Sequence, residues 1–216
     1  MTDIVLASGN KKKLIELQEL LMVKNVNLLP QSQFRIADVE ENGLSFVENA
    51  ILKARHASKM TGLPAIADDS GIEVDALKGA PGIYSARFAH RYFSGGFKQL
   101  PPLHSDLQWQ SDDVDAANNA LLLELLAGVP DGKRGARFQC AIAMFRFADD
   151  PMPLICQGAW EGSIVREPHG THGFGYDPLF WLEDYGCTSA ALAPQVKNSL
   201  SHRAQALQQL LARWPL

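Results

Sequence analysis

Residues 3–21 read DIVLASGNKKKLIELQELL, and the period of their apolar side chains changes halfway along. Asp3 to Ala7 is a short apolar run ending in Ser8-Gly9-Asn10, after which Leu14, Leu17, Leu20 and Leu21 recur at helical spacing. That is a strand, a tight loop and a helix. Further along, Ser45-Phe46-Val47-Glu48 has capping-box form. Phe46, Ala50, Ala54 and Ala57 then lay an apolar stripe that runs out before Gly62 and Pro64, which predicts a second helix from Ser45 to about Met60. Pro64 to Ala67 and Ile72 to Val74 are expected as strands flanking a turn at Asp68-Asp69-Ser70-Gly71. A third helix is expected over Ala116 to Leu126. Arg137 to Phe147 is too rich in β-forming residues and too poor in turns for a surface helix, and predicts a long buried strand. Further strands are expected at Leu154 to Gln157, Trp160 to Val165 and Leu179 to Leu182. Leu200, Ala204, Leu207, Leu211 and Trp214 fall on one face of a C-terminal helix. The sum is an α/β fold with a mixed sheet flanked by helices.

One segment has no clear period. Phe88 to Ser111 holds Gly95-Gly96, Pro101-Pro102 and several aromatics, and a stretch of this kind in a compact domain is a functional flap or an insertion.

Composition narrows the function classes. The 216 residues are 46% apolar and 20% charged, with 20 basic against 24 acidic side chains and a net charge of −4. This excludes a disordered tail protein and gives no global electrostatic reason to bind a nucleic-acid backbone, so an anionic ligand must be met by a local cluster. Cys140, Cys156 and Cys187 lie far apart and form no C-x-x-C pair, which points to core thiols in a reducing compartment. The N-terminus has no basic n-region, and the apolar run from Leu121 to Leu126 is broken by Glu124. A soluble, cytoplasmic protein is expected.

Four clusters could carry chemistry. Ser8-Gly9-Asn10-Lys11-Lys12-Lys13 follows a strand and opens a helix, offering small side chains, amide donors, a helix N-terminus and three ammonium groups. That suits a polyphosphate, although Walker A spacing is absent and a solvated helix start would look similar. Asp68-Asp69-Ser70-Gly71 ends an apolar strand, the usual place for ligands in an open α/β sheet. Adjacent carboxylates there point different ways, so one can face a metal while its neighbour braces the loop; an Asp-rich turn satisfying its own backbone is the plainer reading. Glu40-Glu41 adds a second acidic pair, and hard oxygen ligands from two loops are what Mg²⁺ bridging a phosphate requires. Asn49 and Lys53, four apart, share one helix face, so Lys53 could lean toward the same anion.

In the third cluster, Gly170-Thr171-His172-Gly173-Phe174-Gly175-Tyr176-Asp177, the glycines leave the Phe174 ring little to pack on locally. A planar ligand stacking on Phe174, with Asp177 at its edge, is one use, and a buried anchor is the other. The last cluster is Lys197-Asn198-Ser199-Leu200-Ser201-His202-Arg203, where His202 and Arg203 are donors suited to carbonyl oxygens on a base edge. A cationic pair at a helix N-terminus opposes the macrodipole, which argues for a partner there.

S-G-N-x-x-K, E-x-G-x-S-F-x-E-N-A-x-x-K-A, A-D-D-S-G, G-x-P-G-x-x-S-A-R, G-F-G-Y-D-P and a late S-H-R occur in that order at Ser8, Glu41, Ala67, Gly79, Gly173 and Ser201. In this the chain closely resembles the inosine triphosphate pyrophosphatase family from Ile4 to about Leu211. The resemblance implies two α/β lobes on a long mixed sheet, with a nucleotide-binding cleft between them, and a homodimer. It also implies Mg²⁺-dependent release of pyrophosphate from ITP, dITP or XTP. Carried over by motif, Ser8, Gly9, Asn10, Lys11, Lys12 and Lys13 hold phosphates, Lys53 supports the triphosphate, and Asp69 acts as base while contacting metal. Asp68 is its acidic neighbour, and Glu40 or Glu41 is the second metal ligand. Ser70 and Phe174, Gly175, Tyr176 and Asp177 contact substrate, with Phe174 under the base, and Lys197, His202 and Arg203 read the base edge. His172 stands where the family usually has glycine, and Phe88 to Ser111 replaces a shorter connection before the family-like Asp115-Ala116-Ala117-Asn118-Asn119. Two alternatives remain: a nucleotide pyrophosphatase of different base specificity, and a silent nucleotide-binding regulatory protein.

Overall fold

The computed structural model describes residues 2–8, 17, 18, 21, 26–103 and 113–214. Within them seven strands build a mixed sheet: β1 (Thr2–Leu6), β2 (Val26–Pro30), β3 (Ala65–Val74), β4 (Gly135–Phe145), β5 (Leu154–Ile164), β6 (Phe180–Leu182) and β7 (Cys187–Thr188). Their order is β2-β1-β3-β4-β5-β6-β7. β1 runs parallel to β2 and β3, whereas β6 runs antiparallel to β5 and β7. The helices are α1 (Phe46–Thr61), α2 (Phe88–Phe93), α3 (Val114–Leu125), α4 (Pro194–Leu200) and α5 (His202–Ala212). No helix among the described residues is long and apolar enough to cross a membrane.

The chain divides into two compact units, and β3, β4 and β5 each contribute residues to both. The first unit takes residues 1–70, 139–159 and 201–216. One of its clusters gathers Ile4, Leu6, Leu17, Leu21, Ile142 and Leu207. Another is built largely of alanine: Ala50, Ala54 and Ala57 of α1 pack with Val5, Ala65, Ala67, Ala141 and Ala143 of the strands. Small side chains on both surfaces let the helix axis approach the sheet closely, so the polar side chains of α1 reach β3. α1 starts as its sequence predicts. Ser45 Oγ accepts from Glu48 N–H, Glu48 Oε2 accepts from Leu44 N–H at 2.8 Å, and Gly62 closes the helix at φ 71°. Such a cap contributes about 1 kcal/mol.

The second unit takes residues 71–138 and 160–200. Its core gathers Ile72, Phe88, Leu121, Leu122, Phe138, Trp160, Leu179 and Phe180. The Arg134 guanidinium is buried in this unit and donates to the carbonyls of Leu126, Val129, Ile164 and Val165, so its charge is met by backbone dipoles.

Three expectations need correction, and the unpatterned segment gains detail. Asp68-Asp69-Ser70-Gly71 is not a turn: β3 runs unbroken through it. Gly71 is there for close approach, because a Cβ would stand 2.4 Å from Ser85 Oγ and 2.5 Å from Gly82 O. Likewise β5 is one strand rather than two, and Gly158 in its middle admits α5, whose His202 carbonyl would lie 2.1 Å from a Cβ. The C-terminal helical stretch breaks at Ser201, which ends α4 and caps α5 by accepting from Ala204 N–H. Finally, the unpatterned segment opens with the helix α2, and the buried Phe97 ring meets Tyr84 and Phe88 edge-on, with centroids 5.4 and 5.3 Å apart. Those residues lie on their own unit; residues 104–112 fall outside the described residues.

Candidate active site

β3 carries two carboxylates through the interior of the first unit. Neighbours on a strand point to opposite faces, and Asp68 and Asp69 accordingly engage different helices. Asp69 meets α1: its Oδ1 accepts from Lys53 Nζ at 3.0 Å and its Oδ2 from Asn49 Nδ2 at 3.1 Å. Asn49 and Lys53 are one helical turn apart, which is why both reach one carboxylate. Lys53 Nζ also donates to Glu41 Oε1 at 2.7 Å, and Asn49 Oδ1 accepts from Gly43 N–H at 2.9 Å, so the loop before α1 is tied to the same group. Gly43 cannot carry a side chain there, since a Cβ would lie 2.6 Å from Asn49 Oδ1.

Asp68 meets α5. Arg203 Nε lies 3.4 Å from Asp68 Oδ2, and both side chains are almost entirely buried. Ser70, two residues on and therefore on the same face, accepts from Arg203 Nη2 at 3.2 Å. For Arg203, a partner of the kind a cation at a helix N-terminus calls for is Asp68 of the same chain.

Burial pushes the Asp69 carboxyl above its ordinary pKa, more than the nearby Lys53 ammonium and the Asn49 hydrogen bond draw it down. Burial acts to lower the Lys53 pKa, but Asp69, Asp68 and Glu41 outweigh it, and the ammonium is held more firmly protonated than usual. The group is a largely buried cation bridging two carboxylates.

A second group lies in the other unit. Gly173 and Gly175 adopt φ of 81° and 61°, on either side of Phe174. The buried Asp177 holds the loop: its Oδ2 accepts from Phe174 N–H at 2.8 Å and from Lys197 Nζ, and its Oδ1 from Ser189 Oγ at 2.8 Å. Lys197 Nζ stands 5.4 Å from the centroid of the half-buried Phe174 ring. Tyr176 is buried and donates its hydroxyl to Ser85 O at 2.8 Å, and burial pushes its phenol well above the ordinary value. Phe174 and Lys197 are the ring and the cation of this group.

Several expected residues fall elsewhere. Gly9, Asn10, Lys11, Lys12 and Lys13 lie outside the described residues, and Ser8 donates its backbone N–H to Leu6 O at 3.0 Å. Glu40 is exposed, while Glu41 reaches Lys53. His202 is buried in the first turn of α5, and His172 is exposed. Asp115, Asn119 and Ser189 hold the Phe174 loop, and no role was expected for them; the four-residue spacing of Asp115 and Asn119 was the available signal. Among the described residues no three of His, Cys, Asp and Glu are gathered as a ready-made metal cage.

Fold and site define an α/β protein that concentrates buried carboxylates and a lysine along an inner strand of a mixed sheet. The chain belongs to the Ham1 family, whose sequence profile matches residues 4–213. It is 52% identical over 213 residues to the dITP/XTP pyrophosphatase of Pseudomonas syringae pv. tomato, a match covering 99% of this chain and 97% of that one. The solved Ham1 protein of Coxiella burnetii superposes with a TM-score of 0.85 at 47% identity, over 99% of this chain and 98% of that one. The Staphylococcus aureus Ham1 protein gives a TM-score of 0.81 at 35% identity, over 98% and 97% of the two chains.

Proposed function

We propose that the protein hydrolyses noncanonical purine nucleoside triphosphates, ITP, dITP and XTP, to the monophosphate and pyrophosphate. The observation that carries this reading is the Lys53 ammonium held between Asp69 and Glu41 in a buried setting. The dITP/XTP pyrophosphatase name of the 52% identical relative supports the substrate class.

Two carboxylates whose present partner is a lysine fit Mg²⁺, which is commonly bound by one or two carboxylates together with substrate phosphates. Asp69 and Glu41 would hold it, and Glu40, being exposed, would not. When bound, the ion supplies positive charge to the phosphate oxygens and to the departing pyrophosphate. Lys53 neutralises a further phosphate oxygen. Asp69 orients the attacking water toward the α-phosphorus and takes its proton at a carboxylate oxygen. Asp68 keeps α5 in place through Arg203. The lysines of Ser8 to Lys13 complete the phosphate contacts.

Base choice follows from donors. Phe174 offers a ring for a purine to stack on, and Lys197, beside that ring, is a donor for a 6-oxo group. Adenine would present an amino donor instead, at a cost of about 1–3 kcal/mol for each polar group left unpaired. His202 and Arg203 are the further donors of the S-H-R motif. Three free cysteine thiols, two of them buried, suit a cytoplasmic protein, and a homodimer is the assembly we expect.

A panel of triphosphates with Mg²⁺, assayed separately for pyrophosphate and orthophosphate, tests the reading. ITP, dITP and XTP should yield pyrophosphate well ahead of ATP and GTP. Orthophosphate and a nucleoside diphosphate as first products would refute it.

A further inference from the structure

The Asp115-Ala116-Ala117-Asn118-Asn119 stretch has no part in the chemistry above, yet two of its side chains close on one residue, Gly175. Asp115 and Asn119 are four apart on α3 and so share a face. Asp115 Oδ2 accepts from Gly175 N–H at 2.8 Å, and Asn119 Nδ2 donates to Gly175 O at 2.9 Å. The residue directly before Gly175 is Phe174, whose own N–H is taken by Asp177. The glycines on either side of it sit at positive φ, so the local chain has little stiffness of its own. Its geometry is therefore imposed from outside, by Asp177 on one side and by the α3 pair on the other. A Cβ built at Gly175 would meet nothing within 4 Å.

We propose that Asp115 and Asn119 are positioning residues that set recognition of the base by fixing Gly175, the residue after Phe174. The proposal rests on the reading of Phe174 as the ring beneath the base. A ring already held in its stacking pose costs a ligand no ordering, whereas a loosened loop must be ordered at each binding event. The effect falls on ligands that carry a base and spares those that are phosphate alone. Asn118, next in the same stretch, serves a different end: its Oδ1 accepts from Ala89 N–H at 2.9 Å and its Nδ2 donates to Ser85 O at 3.3 Å.

The test compares two probes on the full chain: ITP, and inorganic tripolyphosphate, which has no base. Dissociation constants are measured by calorimetry in chelator, and kcat and KM for ITP with Mg²⁺, for the wild type, Asp115→Ala, Asn119→Ala and Asp115→Asn. The two alanine variants should weaken ITP binding about tenfold and raise KM similarly, with tripolyphosphate binding and kcat within about threefold. Asp115→Asn, which keeps an acceptor oxygen, should stay close to wild type. Equal weakening of both probes would mark a general structural role and overturn the proposal, as would ITP binding that does not change. A wild type that binds ITP no better than tripolyphosphate would remove the stacking role of Phe174 and the clamp with it. Selective wild-type binding of ITP that survives both alanine variants would leave Phe174 in place and remove the clamp alone.

Discussion

Asp68 and Asp69 are adjacent in β3, and their carboxylates are held by different helices: Arg203 of α5 lies on Asp68 at 3.4 Å, and Lys53 of α1 on Asp69 at 3.0 Å. A strand turns successive side chains to opposite faces, so one dipeptide serves both helices packed on that part of the sheet. On the proposed mechanism Asp68 holds a helix, and Asp69, partnered by a lysine and an amide, does the chemistry.

Asp69→Asn should remove nearly all turnover while nucleotide still binds, because an amide fills the space but neither accepts the proton of water nor offers an anionic ligand. Initial rates and equilibrium binding on the same preparation check this. A variant with wild-type kcat would show that the base lies elsewhere.

Glu41 and Glu40 should separate cleanly. Glu41 shares Lys53 with Asp69, so Glu41→Gln should raise the Mg²⁺ concentration needed for half-maximal rate, whereas the exposed Glu40→Gln should leave it unchanged. A Mg²⁺ titration of initial rates reads both; the opposite pattern would exchange the two assignments.

Removing one member of the Arg203–Asp68 pair leaves a buried charge without its counterpart. Arg203→Ala should cost about 3 kcal/mol of unfolding free energy, and Asp68→Asn together with it should cost less than the sum of the two single changes. Denaturant unfolding of the four proteins gives the coupling directly. Strict additivity would show that the pair does not act as a unit.

The acid limit of stability should trace in part to Asp150. Its carboxylate accepts from Arg146 Nε and Nη2 at 2.8 and 2.6 Å and from Met152 N–H at 3.0 Å, and the Arg146 hydrogen bonds hold its pKa well below the ordinary value. A carboxylate depressed in the folded state stabilises above the unfolded pKa and loses that contribution as pH falls. Asp150→Asn should therefore lower Tm at pH about 7, with the gap to wild type narrowing below pH about 4. A gap that stays constant down to pH about 2 would contradict the linkage.

Much of this was legible beforehand, and the failures have physical causes. The start of α1 was readable because Ser45 and Glu48 stand at the spacing that satisfies the first amides of a helix. The buried run of β4 was readable from its apolar length. Asp68-Asp69-Ser70-Gly71 misled because turn chemistry and site chemistry use the same residues: the acids are buried by partners on α1 and α5, and the glycine admits Ser85, all from distant sequence. The break expected between Gln157 and Trp160 is absent: Gly158 there admits α5 while the strand runs on. β2 went unread because Val26–Pro30 is short and ends in proline; its parallel pairing with β1 makes it a strand. Which of the two glutamates reaches Lys53 depends on the path of the loop before α1, which is set by Asn49 holding Gly43.

In the proposed mechanism water attacks the α-phosphorus with Asp69 as base. Hydrolysis of ITP in heavy-oxygen water, with the mass of both products measured, tests it most directly. One heavy oxygen should appear in the inosine monophosphate and none in the pyrophosphate. Label in the pyrophosphate, or labelled orthophosphate beside an unlabelled nucleoside diphosphate, would place the attack on another phosphorus and contradict the account.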